Sequence, residues 1–354
     1  MRLTEDSKKL RDFCLSRIDN KSSKSLKDLY SFFKSIQLSP ITRFNITPVE
    51  SNNNRIKSEF VSKKIIQLSE NLKKKTSILF TIRDINITIH IYHTEKEELK
   101  EFIINIINYI QFIISLVKSK KERIIINYYL INKKKSIKSR IPNKDEVNSG
   151  SCQGNEIESI INIWRKEEIL KVTLHELIHA LYFDKYKDTN DLINHYRIRY
   201  NVSSLIMNTN EAYTELWANL MNCYLISKNE TNQEELFNTL VSLEKCFSNF
   251  QAHKIIYHTN ISNNKNIVDI NKNTSVIAYY IIRSELYNNL DGFLNHCSLD
   301  INNENYLKIK DSHSWILFLK SLKKITKNNR RFNKKNKDIQ YKTIRMSLVE
   351  LKVF

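Results

Sequence analysis

A chain of 354 residues with 41% hydrophobic and 10% aromatic residues can bury a sizeable core, which excludes wholesale disorder. Its formal net charge of +19 accompanies heavy use of lysine, asparagine and isoleucine, a bias that an AT-rich genome imposes by itself, so charge alone does not select a polyanionic partner. Five scattered cysteines, none in a CxxC pair, exclude a disulfide scaffold and fit a reducing, cytoplasmic compartment.

No apolar stretch follows the charges of Met1 to Asp6, so the chain is read as not secreted. Residues 1–75 read as a helical N-terminal region of polar helices, interrupted by a loop from Ser39 to Asn54 that holds Pro40 and Pro48. From Ile78 the pattern changes. Ile78 to Ile82 and Ile85 to Tyr92 are β-branched and largely alternating, hence strands, and Arg123 to Ile131 reads as another. Between them, the uncharged run Phe102 to Val117 would span about 24 Å as a helix, too short for a bilayer core. Asn105, Asn108, Gln111 and Ser115 form a polar stripe along it, which predicts an amphipathic core helix and no membrane span. Asn148 to Gly154, holding two of the three glycines, reads as a loop, and Ile157 to Trp164 as a short strand. Helices are expected from Glu167 to Tyr186, Thr209 to Ile226, Asn232 to Phe247 and Ser275 to Leu290.

The helix from Glu167 carries His175-Glu176-Leu177-Ile178-His179. Residues i and i+4 project from one helical face, so both imidazoles can reach one Zn²⁺ at about 2.0–2.1 Å. Glu176 can reach a water on that ion without being a ligand, while Leu174, Leu177, Ile178 and Leu181 pack into the core. Taken alone, the pair also suits a buried helix whose histidines only form hydrogen bonds. Downstream, Asn210-Glu211 and Thr214-Glu215 lie on a second amphipathic helix with Ala212, Leu216 and Trp217.

Together the two boxes resemble the HExxH and NExxSD motifs of the thermolysin-like zinc peptidases, the gluzincins, with Thr214 standing for Ser and Glu215 for Asp. The resemblance covers these motifs and the order strand, metal helix, glutamate helix. It implies a zincin-like α+β fold: a small mixed or antiparallel sheet, the active-site helix, then a helical C-terminal subdomain. It further implies Zn²⁺ held by His175, His179 and Glu211, with Glu215 orienting a ligand imidazole. Glu176 would be the general base for zinc-activated water attacking the peptide bonds of a peptide or protein substrate. An edge strand above the metal, here Ile157 to Trp164, would pair with that substrate. Two features depart from the family: His179 and Glu211 are 32 positions apart, making Asp184 to Asn208 an insertion, and Glu215 is longer than Asp. The arrangement is also similar to zinc peptidases of large DNA viruses, which share a glycine-containing loop, an R-K-E-E segment (here Arg165 to Glu168) and a glutamate helix. A viral origin would place the chain in host cytoplasm or a virion.

For the oxyanion, Tyr280 is the candidate stabiliser, with Tyr279, His253 and His258 as alternatives. Asp184 and Asp188 are further oxygen donors, expected at the surface. A metzincin would carry Gly where Tyr182 stands and His where Lys185 stands. Two other readings stay open: a DNA-tethered protease of the SprT type with His195 as third ligand, and a structural or virion protein with a vestigial zinc site. The stretch Lys320 to Lys337 holds nine basic residues and no acid, either a solvated tail or a contact to nucleic acid or another polyanion. The expected division is therefore 1–75, a catalytic domain at 76–300, and a basic C-terminal segment at 301–354.

Overall fold

The computed structural model describes residues 2–18, 23–50, 55–117, 119–228, 230–261, 267–297, 307, 309, 311–326 and 338–354. The fold is mixed α and β, and the chain divides into two compact units. Residues 34–134, 148–182 and 352–354 form an α/β unit, and 1–33, 135–147 and 183–351 a helical unit. The linear division expected at residues 75 and 300 does not coincide with these units, because the main chain leaves and re-enters each of them.

The α/β unit is built on a six-stranded sheet: β1 (Ile41–Glu50), β2 (Lys74–Ile82), β3 (Ile85–His93), β4 (Arg123–Tyr129), β5 (Gly150–Gly154) and β6 (Glu158–Ile163), in the order β1-β2-β3-β4-β6-β5. The pairs β1/β2, β2/β3 and β5/β6 are antiparallel, whereas β3/β4 and β4/β6 are parallel. Strands β2 to β4 and β6 are where alternation and β-branching predict them, with Ile78, Ile82, Ile89, Ile91, Ile124 and Ile126 fully buried. The two edge strands correct the reading of loops at Ser39–Asn54 and Asn148–Gly154. β1 is exposed along most of its length, carries Pro48, and shifts register between Thr42 and Asn45, so no buried face imposes a period on it. β5 is Gly150-Ser-Cys-Gln-Gly, whose pairing rests on its main chain. The β3-to-β4 crossover runs through α4 (Lys100–Ser115), with Phe102, Ile106, Ile110 and Ile113 buried. Its polar stripe holds the preceding chain: Gln111 donates to the Ser39 carbonyl (2.8 Å) and Ser115 accepts from the Ser39 N–H (2.9 Å). Among the described residues no helix is long and apolar enough to cross a membrane.

In the helical unit, α1 (Glu5–Leu15) and α2 (Lys24–Ser35, its last two residues beyond the unit) begin the chain as expected. Helix α3 (Lys63–Ser69) belongs to the α/β unit, and the short α5 (Lys144–Val147) to the helical one. The metal-motif helix, α6, is Ile169–Ala180, and it stops earlier than expected because Tyr182 adopts φ 58°. That left-handed position usually signals itself as glycine. Asparagines do the same work elsewhere: Asn201 (φ 52°) ends α7 (Asn190–Tyr200), while Asn208 (φ 51°) and Asn232 (φ 49°) precede α8 (Thr209–Ser227) and α9 (Gln233–Thr259). Helix α9 runs a further twelve residues past its expected end at Phe247, burying Ala252, Ile255 and Ile256. The predicted helix at Ser275–Leu290 is a π-helical run, Ile277–Ile282, leading into α10 (Arg283–Asn288). Helices α11 (Leu290–Cys297), α12 (Ser312–Ser321) and α13 (Ile339–Lys342) follow.

After α13 the chain is buried from Thr343 to Val349, and side chains of α8, α9, the π-helical run and α10 satisfy its main chain. Gln251 donates to the Arg345 carbonyl (2.8 Å), Lys254 to Thr343, Tyr280 to Ile344 (2.7 Å) and Arg283 to Met346. The Glu244 carboxylate accepts the N–H groups of Leu348 (2.9 Å) and Val349 (2.8 Å). The C-terminal stretch is thus part of this unit's core rather than a separate basic segment. Of the basic run, Lys327, Arg330, Arg331, Lys334, Lys335 and Lys337 lie outside the described residues.

Candidate metal centre

Helix α6 is almost wholly buried, with Leu174, Leu177 and Ile178 at 0% exposure, and it packs against α4, β5 and β6. Thr173 fixes it from inside: its hydroxyl donates to the Ile169 carbonyl (2.8 Å) and meets the Tyr128 hydroxyl of β4 (2.9 Å). With the apolar face held, the opposite face presents His175 and His179. Their Nε2 atoms lie 3.1 Å apart, with the rings at 81°. Two nitrogens bound tetrahedrally to one zinc at about 2.05 Å would be about 3.3 Å apart, so the pair needs only a few tenths of an ångström of adjustment. The pair is therefore spaced much as two nitrogens on one metal ion would be.

Glu176, also buried, turns toward the edge strand instead. Its carboxylate lies against Gly150, so close that a Cβ there would stand 2.8 Å from Cδ, 2.9 Å from Cγ and closer still to Oε1. Gly150 is held in place by the β6–α6 connection. Trp164 Nε1 (3.1 Å) and Arg165 Nε (3.0 Å) both donate to the Asn148 carbonyl, and the Trp164 N–H donates to Ser149 O (2.9 Å). Arg165, at 0% exposure, also donates to Lys133 O (2.9 Å), tying the end of β4 to the start of β5. The R-K-E-E segment thus begins as a structural clamp. The edge strand beside Glu176 is β5, not the expected Ile157–Trp164, which lies inside the sheet as β6. Since Trp164 N–H bonds Ser149 O and Asn155 N–H bonds Glu158 O (2.9 Å), the intervening register turns the N–H and C=O of Gly150 and Cys152 away from β6.

The other candidates belong to the helical unit. Glu211 lies in the first turn of α8, half-buried. That turn is anchored by two carboxylates that the sequence suggests are surface groups. Asp184 is buried and accepts from Thr214 Oγ1 (2.9 Å) and Asn210 Nδ2 (3.2 Å), while Asp188 accepts from the Thr209 N–H (3.0 Å) and hydroxyl (2.6 Å). Negative charge at a helix N-terminus is favourable, and burial pushes the Asp188 carboxyl up. So Asn210 and Thr214 of the second box serve Asp184. Glu215 is fully buried and pairs with Arg283 (3.3 Å). The Tyr280 hydroxyl proton goes to the Ile344 carbonyl, at 0% exposure, which corrects its assignment as an oxyanion stabiliser: the group is committed to the core. His258 bonds Ser139 O (2.8 Å). His195 stacks edge-on against Tyr196 (5.3 Å), and burial together with Arg199 and Lys320 lowers its pKa. The sequence points to the glycine-containing loop, Arg165, Asp184 and Asp188, but what each contacts comes only from the tertiary structure: Gly150 meets Glu176, Arg165 the Asn148 carbonyl, and the two aspartates the first turn of α8.

No family model matches the chain, and neither curated proteins nor solved structures yield a match.

Proposed function

We propose that the chain is a zinc-dependent metallopeptidase in which His175, His179 and Glu211 hold the ion and Glu176 is the general base. Each of the three offers one ligand atom, an imidazole nitrogen or a carboxylate oxygen, a donor set suited to zinc with one position left open. The observation that carries the reading is the pair of Nε2 atoms 3.1 Å apart on α6, the helix that also carries the buried Glu176, whose carboxylate lies against Gly150 of the edge strand. A bound zinc supplies a Lewis acid that polarises a carbonyl and acidifies water toward a pKa of about 7. Glu176 takes the proton of the attacking water and returns it to the leaving nitrogen. The outward-facing N–H and C=O groups of Gly150 suit an extended peptide, aligned by main-chain hydrogen bonds.

The test is elemental analysis of the purified chain together with hydrolysis of an unfolded protein substrate before and after chelation. About one zinc per chain, activity lost on chelation and restored by zinc, supports the peptidase. Stoichiometric zinc with no hydrolysis of any unfolded substrate points to the vestigial site, and absence of zinc binding removes both.

A further inference from the structure

We propose that Gly150 is the positioning residue for Glu176: the bare Cα of the edge strand is the seat of the Glu176 carboxylate, and a side chain there displaces the base while leaving the histidine pair in place. Three atoms of Glu176, Cγ, Cδ and Oε1, would stand closer than 3 Å to a Cβ at this position, a spacing that real Cβ atoms do not show. Neither side can yield by moving the backbone. Asn148 is gripped by Trp164 and Arg165, and the Ser149 carbonyl, next to Gly150, accepts from the Trp164 N–H. On the helix, Leu174, Leu177 and Ile178 are locked in the core. What can move is the Glu176 side chain beyond its Cβ, by rotamer change. His175 and His179 are separate side chains on that helix, and their facing nitrogens do not depend on it.

The same residue also presents its own N–H and C=O to the open edge of the sheet, since it occupies a position whose polar groups point away from β6. One glycine thus sets where the carboxylate stands relative to any strand added there. The catalytic half of this proposal rests on the reading of Glu176 as general base; the geometric half does not.

The experiment is a double-mutant cycle on the full chain with Gly150→Ala, Glu176→Ala and their combination, since Glu176→Ala deletes all three clashing atoms. Urea unfolding of the metal-free chain should show Gly150→Ala raising the unfolding constant about tenfold with Glu176 present and within about twofold in the Glu176→Ala background. Equal losses in both backgrounds overturn the proposal, because the alanine would then be clashing with something else. Zinc affinity of Gly150→Ala should stay within about threefold of the parent, whereas kcat should drop about a hundredfold with little change in KM. Coupling in stability with undiminished kcat would leave the contact but remove its positioning role, and with it the base role of Glu176. A parent chain without hydrolytic activity would sink the peptidase reading, while the stability cycle still decides whether Gly150 seats the carboxylate.

Discussion

The Glu215 carboxylate and the Arg283 guanidinium lie 3.3 Å apart with both side chains buried. Among the described residues Arg283 Nε and Nη2 have no hydrogen-bond partner, so the ion pair and the Met346 carbonyl bear most of the compensation for that buried charge. Breaking such a pair from one side typically costs about 3–5 kcal/mol. Glu215→Ala is therefore expected to lose stability of that order in urea, with or without zinc. A variant of unchanged stability but weaker metal binding would return Glu215 to orienting an imidazole, the role the family resemblance implies.

The three proposed ligands and the proposed base should fail differently. His175→Ala and Glu211→Ala each remove a coordinating atom and are expected to lose most of the zinc at neutral pH under a competing chelator. Glu176→Gln is expected to retain about one zinc per chain with hydrolysis reduced at least about a hundredfold. Zinc loss in Glu176→Gln equal to that in His175→Ala would show Glu176 to be a ligand. Zinc retained in Glu211→Ala would remove Glu211 from the set.

Asp184 and Asp188 hold the start of α8, the helix that carries Glu211. Replacing Asp184 by alanine leaves Asn210 and Thr214 without their acceptor, at a cost of about 1–3 kcal/mol. Asp188→Ala removes the carboxylate that caps Thr209, worth about 1 kcal/mol. Thermal unfolding measures both. Wild-type midpoints in the two variants would make these the surface carboxylates that the sequence suggests.

Glu285 is buried and accepts from Tyr200 (2.5 Å), Tyr196 (3.2 Å) and Arg199 (3.1 Å), joining α10 to α7. Burial outweighs these donors and pushes its carboxyl up to about 7 from the ordinary 4.5. Between those values the folded chain keeps a proton that the unfolded chain releases, so this contribution to stability is full below about pH 4.5 and is lost as pH rises through 7. Glu285→Gln should flatten the stability profile in that window, measured by urea unfolding at pH 5, 6, 7 and 8. An unchanged slope would show that Glu285 is ionised throughout.

Deleting the chain from Thr343 would strand Gln251, Lys254, Tyr280, Arg283 and Glu244, each buried and hydrogen-bonded to the main chain of that segment. At about 1–3 kcal/mol per abandoned buried polar group, the sum reaches the whole stability of an ordinary domain. The truncated chain is expected to lose near-UV circular dichroism and amide protection in α8 and α9. A folded truncation would make the segment an accessory strap.

What the sequence by itself determined is what short-range geometry encodes. The i, i+4 spacing of His175 and His179 puts both imidazoles on one face of α6 whatever surrounds it, and the alternation of Ile85 to Tyr92 marks a strand with one side buried. Edge strands were invisible because β1 buries none of its described side chains and β5 pairs through a glycine-bounded main chain, so neither carries a period. Helix ends were blurred where Tyr182 and asparagines, rather than glycines, adopt the left-handed conformation. Only the tertiary structure decided the partners of polar groups, because those come from distant chain. Tyr280 meets Ile344, Gln251 meets Arg345, and Glu215 meets Arg283 across 64, 94 and 68 positions. A buried hydroxyl or carboxylate takes whichever donor or acceptor the fold brings within 3 Å, and no pattern local to Tyr280 or Glu215 records that choice.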